Sequence, residues 1–250
     1  MRQEDDGLLF AGNVMVRNRR IEGSGFYDIG NTTSLSIKSD SEKKQRTSKR
    51  KDSYGQPLDS VTIKKPSELK LKLDTFDRQN LAMALMGAAS VIAAAAAKIT
   101  DEALVVAKKG QWYALPLDNL DADTVRVKNA AGQPVKAEHL EVNANLGLLL
   151  VKDECDNVQD GESVKVTASG RTGGGFKIDA ETEGDFDLEI ILDGVNRVNG
   201  RNIKLHVPSA VIAADSELDW FADDFNEASF TGTPVLLAGF KSSYSFKEFN

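Results

Sequence analysis

With 250 residues, 41% of them hydrophobic and 28% charged, the chain can bury a substantial core and has the composition of an ordinary soluble globular protein. Its single cysteine, Cys155, excludes an intramolecular disulfide framework. Net charge is -7, yet residues 36–66 hold nine Lys or Arg against four Asp or Glu, and such segregation of charge favours complementary contact between neighbouring molecules.

In chain order, residues 1–6 are acidic, and Leu8-Leu9-Phe10 is too short for the apolar part of a secretion signal. Residues 7–17 read as a first strand interrupted at Gly12. Phe26-Tyr27-Asp28-Ile29 is a short extended piece closed by Gly30-Asn31. Residues 32–47 alternate Leu35 and Ile37 with polar residues, then enter a run holding Lys43, Lys44, Arg46, Lys49, Arg50 and Lys51. This loop closes around Tyr54-Gly55-Gln56-Pro57, and Val61-Thr62-Ile63 begins a return strand. The extended basic hairpin loop, residues 43–58, has few apolar residues to pack and is expected to be disordered before it meets a partner.

Leu69-Lys70-Leu71-Lys72-Leu73 has the alternation of a half-buried strand. Thr75 or Asp77 caps a short helix running to about Met86, with Leu81 and Leu85 on one face and Gly87 as the stop. Residues 88–97 are mostly alanine and fit either a helix or a mobile linker. They fall well short of the roughly 20 apolar residues a membrane span needs. The expectation is therefore no membrane insertion.

Short strands then follow at close intervals, at 103–107, 112–115, 124–127, 146–151 and 163–167, separated by turn residues such as Lys109-Gly110 and Asp160-Gly161. That spacing predicts a small β module. Residues 169–175 read as a flexible joint. Strands resume at 176–178, 186–192 and 203–207, the last two joined through Asp193-Gly194 and Asn199-Gly200, and residues 218–222 and 228–231 read as more sheet.

No constellation points to catalysis. His139 and His206 each lack a Cys or His at ligand spacing. Cys155 lies among Asp153, Glu154 and Asp156, which disfavour a thiolate nucleophile. Residues 170–175 are glycine-rich but lack the Gly-Lys-Ser/Thr ending of a phosphate loop. Asp179, Glu181, Glu183, Asp185, Asp187 and Glu189 alternate with other residues, so on one continuous strand they would share a face. A glycosidase pair is conceivable there, but the even spacing reads better as a charged wall. The basic run suits nucleic acid electrostatically, although Tyr54 is its sole nearby aromatic and no groove-reading helix follows. The expected protein is not an enzyme and needs no cofactor and no metal.

Residues 25–87 carry a resemblance. Asp28-Ile29-Gly30-Asn31-Thr32-Thr33-Ser34-Leu35-Ser36-Ile37 leads into a polar strand and a Gly-x-Pro loop. Pro66, residues 69–73 and Thr75-Phe76-Asp77-Arg78-Gln79-Asn80-Leu81 follow, running to Gly87. Together with Gly110-Gln111-Trp112-Tyr113-Ala114-Leu115, residues 142–147 and Asp223-Asp224-Phe225, this resembles the major tail tube proteins of long-tailed, siphovirus-type bacteriophages.

The resemblance implies a mainly β fold of two packed antiparallel sheets with a flanking short α-helix, and this chain departs from it by extra β material that reads as an inserted small β module. Residues 1–116 and 171–250 would form the tube domain, and residues 117–170 the insertion. It also implies homohexameric rings stacked into a tube, within a virion tail assembled in the host cytoplasm. Partners would be further copies, the tape measure protein and the tail terminator and tip proteins, with genome DNA passing unbound. Six subunits giving four strands each would close a barrel about 45–50 Å across, leaving roughly 35–40 Å for DNA.

In that frame Lys43, Lys44, Arg46, Lys49, Arg50, Lys51 and Tyr54 are the expected inter-ring contacts. Their expected partners are Asp215, Glu217, Asp219, Asp223 and Asp224, and residues 179–189 supply the lumen-facing carboxylates. The alternatives are a contractile-tail or type VI-like secretion tube, and a surface or carbohydrate-binding β-sandwich. Against the latter stands an expected lack of clustered surface aromatics.

Overall fold

The computed structural model describes residues 7–93 and 95–249. The chain is mainly β and divides into two compact units, one of residues 7–90 and 178–249, the other of residues 91–177. The first unit opens with β1 (Phe10–Asn18), β2 (Tyr27–Asp28), β3 (Thr32–Thr47), β4 (Pro57–Leu73) and the helix α1 (Arg78–Ala84). β5 (Ala88–Ile92) leads into the second unit, which holds β6 (Lys98–Val106), β7 (Trp112–Ala114), β8 (Arg126–Lys128), β9 (Leu140–Asn143), β10 (Leu148–Val151) and β11 (Glu162–Ser169). The chain returns along β12 (Gly175–Asp179), which pairs with β5. β13 (Phe186–Asn196), β14 (Asn202–Ala214), β15 (Ala228–Pro234) and β16 (Ser245–Phe249) complete the first unit.

The main sheet has the order β2-β1-β13-β14-β15-β4-β3. β14 pairs with β15 along Ala210 to Ala214 and with β16 along Asn202 to His206. Alternation along each strand sorts the side chains. Val14 and Val16, Leu69, Leu71 and Leu73, Leu188 and Ile190, Ile212 and Phe230 all lie in one buried core with Met83 of α1. The opposite face of the same strands is polar and carries Arg17, Lys70, Lys72, Asp187, Glu189 and His206.

α1 starts at Asp77, whose Oδ1 accepts the Asn80 N–H at 2.7 Å. The buried Asn80 amide donates to the Ile29 carbonyl at 2.8 Å and the Thr75 carbonyl at 2.9 Å, which ties the helix to the loop after β2. Its left-handed terminal residue is Met86, at φ 49°, one position before the expected Gly87 stop.

In the second unit, sheets β7-β10-β9 and β6-β11-β8 enclose a core of Val106, Leu149, Val151, Val164, Val166 and neighbours. Cys155 is buried in it, its Sγ 3.0 Å from Asn157 Oδ1. No helix among the described residues is long and apolar enough to cross a membrane.

Several expectations are corrected. The insertion is residues 91–177, not 117–170, because β6 pairs with β11 and β7 with β10, so both belong to the second unit rather than to a domain ending at 116. β1 is uninterrupted at Gly12: Gly12 lies opposite Gly194, where a Cβ would sit 2.2 Å from the Asp193 carbonyl oxygen, so the glycine permits close strand approach. Asp193-Gly194 lies within β13, and the turn falls at residues 197–199. Residues 88–92 form a strand, not a helix, while residue 94 of that alanine-rich segment lies outside the described residues, as do the acidic residues 1–6. Residues 218–222 are loop rather than sheet.

Candidate functional site

The basic hairpin is ordered, not disordered, and residues 43–47 and 57–58 lie in strands rather than loop. β3 and β4 stay paired out to Arg46↔Asp59 and Thr47↔Pro57. From Lys38 to Pro66 every residue is exposed except Ser48 and Ser53. At ~3.3 Å per residue, residues 39–47 form an arm roughly 30 Å long. Its tip is organised by hydrogen bonds in place of apolar packing. The Ser48 and Ser53 hydroxyls are 2.8 Å apart, the Ser48 N–H donates to the Gln56 carbonyl at 2.8 Å, and Gly55 N–H donates to the Ser48 carbonyl at 2.9 Å.

Register sorts the arm's side chains. Glu42, Lys44 and Arg46 stand opposite Ile63, Val61 and Asp59, with ion pairs Arg46–Asp59 at 2.5 Å and Lys65–Glu42 at 3.6 Å. Lys43 and Lys64 occupy the other face. At the tip, Lys49 Nζ lies 5.7 Å from the centre of the Tyr54 ring, near Arg50 and Lys51. Val61, Ile63, Leu58 and Tyr54 are all exposed. β3 is the terminal strand of the main sheet, so its outer backbone groups face no other strand among the described residues.

The six carboxylates of residues 179–189 do not share one strand. Asp179 ends β12, and Glu181, at φ 59°, and Glu183 lie in the connecting turn, where their N–H groups donate to the Leu85 and Met86 carbonyls. Only Asp187 and Glu189 lie on β13. Asp185, Asp187 and Glu189 each meet an arginine from the end of β1 or just beyond it: Arg20, Arg19 and Arg17. Glu189 Oε1 is also 2.8 Å from His206 Nε2, and the Ser209 hydroxyl donates to Asp187 at 2.7 Å. The acidic wall is thus an ion-pair ladder. Arg17, Arg19 and Arg20 stand out in sequence as a basic cluster, but nothing local to them names these carboxylates as their partners.

Residues 215–227 form a loop between β14 and β15. Its acidic residues divide into two groups. Asp215 and Glu227 anchor the neck: Lys72 Nζ donates to Glu227 at 2.7 Å and the Thr33 hydroxyl donates at 2.9 Å, while the Thr231 hydroxyl donates to Asp215. Glu217, Asp219, Asp223 and Asp224 lie further out. A clasp between Asp219 and Asn226 holds the loop, the Asp219 N–H donating to Asn226 Oδ1 at 3.2 Å and the Asn226 amide to the Asp219 carbonyl at 3.0 Å.

Beyond the clasp, Trp220 is 70% exposed, Phe221 95% and Phe225 96%. These three exposed rings within six residues run against the expected lack of clustered surface aromatics. Periodicity carries no information about a loop whose apolar residues point outward.

The Ser229 hydroxyl, then that of Thr231, hold the Asp215 carboxyl below the usual aspartate range. A depressed folded-state value means this anchor contributes stability above the ordinary aspartate pKa and loses it as pH falls through the lowered one. Ser229→Ala should therefore raise the Asp215 midpoint, read from its carboxyl carbon by NMR.

Among the described residues no three His, Cys, Asp or Glu side chains group to hold a metal ion. A family model described as "Protein of unknown function UCP028589" matches residues 8–238. No curated protein matches the chain.

Proposed function

We propose that this chain, which belongs to the family of unknown function matched over residues 8–238, is a structural subunit that stacks in rings to build the tail tube of a long-tailed bacteriophage. The observation that carries the reading is the β3–β4 arm, exposed from Lys38 to Pro66 on an open sheet edge. A two-stranded ribbon is marginally stable alone in water and a bare edge invites pairing with another chain. Both features find a use when a second copy meets them. The β1–β2 side of the main sheet supplies the opposite edge, so pairing β3 of one copy with that edge of the next repeats head to tail, the kind of contact that builds a ring when its rotation closes.

The polar face of the main sheet suits a conduit. Its carboxylates Asp187 and Glu189 are matched by Arg19 and Arg17, and its Lys70 and Lys72 by Glu68 and Glu227, a paired lining that offers densely anionic DNA little net attraction. On this reading the partners are further copies, the tape measure protein and the terminator and tip proteins, and no catalysis is required of the chain.

Negative-stain electron microscopy of the concentrated protein tests the proposal: rings or filaments with a central channel are expected, and a uniform population of monomers would refute it. A second reading, a carbohydrate-binding module, draws on Trp220, Phe221 and Phe225 beside Asp223 and Asp224, since aromatic rings next to carboxylates suit sugar faces and hydroxyls. Hits on a glycan array would favour it.

A further inference from the structure

The arm and the aromatic loop occupy opposite poles of the first unit. In the sheet register Thr32, Leu73 and Ala228 lie side by side, so residues 215–227 leave the sheet at the root of β3, while the basic tip lies at its far end. The sixteen residues of β3 separate the two poles by roughly 50 Å. The poles are chemically complementary. Residues 215–227 hold six Asp or Glu and no Lys or Arg, and they present three exposed aromatic rings. Residues 36–66 hold nine Lys or Arg against four Asp or Glu, with Tyr54, Leu58, Val61 and Ile63 exposed among them.

A patch whose complement lies elsewhere on the same molecule makes a heterologous contact, which repeats from copy to copy along an axis instead of closing on itself as a two-fold pair does. Within one subunit the arm runs away from the loop, so the loop's match is the arm of another copy. We propose that the loop of one subunit seats on the basic arm of a second copy in the adjacent ring, with Trp220, Phe221 and Phe225 as apolar anchors against the exposed Val61–Ile63 side of the ribbon. Asp223 and Asp224 meet Lys44 on that face, where Arg46 and Lys65 already pair with Asp59 and Glu42.

This inference rests on the reading of the chain as a tube subunit and names the axial contact of that assembly. Aromatic side chains are the residues that most often carry interface energy, and here a clasp that Asp219 and Asn226 complete without them has already fixed their loop.

Two measurements on the full chain test it. A photoreactive benzophenone at position 225 in assembled tubes should crosslink to residues 54–63 of a different copy, identified by mass spectrometry. The combined variant Trp220→Ser, Phe221→Ser, Phe225→Ser should keep the wild-type circular dichroism spectrum and still form rings, while the mass of sedimentable tube falls about tenfold or more. Tubes of normal length from that variant, or crosslinks that avoid the arm, would overturn the inference and leave the tube reading standing. Glycan capture lost in the variant while its tubes persist would overturn it in favour of a sugar-binding loop. A wild-type chain that forms neither rings nor tubes overturns the tube reading, and this contact with it.

Discussion

Replacing Lys43, Lys44, Arg46, Lys49, Arg50 and Lys51 with neutral polar residues should give folded subunits that no longer build long tubes. All six side chains are exposed and none belongs to the buried core, so the fold loses little. An exposed ion pair is worth only about 0.2–1 kcal/mol. Two to four such pairs, all that the acidic loop and the unpaired arm cations can form, weaken one contact by about 1–2 kcal/mol, or roughly 5–30-fold in its association constant. In the proposed tube a stacked ring would make that contact several times over, and simultaneous contacts multiply, so axial growth would be hit far harder than any single pair suggests.

Arg46 contributes least, because it already pairs with Asp59 inside the arm. Raising salt should act in the same direction, since exposed charges are screened within about 10 Å at 0.1 M ionic strength. Tube lengths measured by electron microscopy, with circular dichroism as the folding control, decide the matter. Normal lengths after all six replacements would refute the role given to the arm.

Phe230→Ala should act on the fold instead. Phe230 is wholly buried on β15, opposite Ala214 of β14 on one side and Leu71 of β4 on the other, so truncation leaves a cavity at the centre of the main sheet. Such a change costs about 3–5 kcal/mol, a large share of the 5–15 kcal/mol that holds a typical domain together. The thermal transition of the first unit should fall by about 10 °C or more in a calorimetric scan. Val61→Ala on the arm should shift the same transition little, within about 0.5 kcal/mol, because its side chain is exposed. Equal shifts from the two changes would contradict the division between a core that folds the subunit and an arm that connects it.

Much of the fold was legible because alternation reports burial. Leu69, Leu71 and Leu73 carry the alternation of a half-buried strand and lie wholly buried on β4. The limits of the insertion were not legible, since Ala103 to Ala107 and Trp112 to Leu115 read as strands without naming their partners, and only pairing with β11 and β10 assigns them. The arm's order was hidden for a related reason. A shortage of apolar residues argued for disorder, whereas continuous backbone pairing and the Ser48–Ser53 hydrogen bond supply the structure.

For the candidate site, the cations of residues 43–51 were readable as a run. The arginine partners of Asp185, Asp187 and Glu189 were not, being about 165 positions or more away in sequence. The aromatic loop reads as sheet from sequence because Trp220 and Phe221 resemble strand residues by type, and type alone does not say which way a side chain faces.

Tracing the backbone of assembled tubes by electron cryomicroscopy tests the central claim most directly. The account predicts that the outer edge of β3 continues by main-chain hydrogen bonds into a strand of the neighbouring subunit, around a closed ring with an open centre. Subunits that touch only through side chains, each β3 edge facing solvent or capped by its own chain, would contradict it.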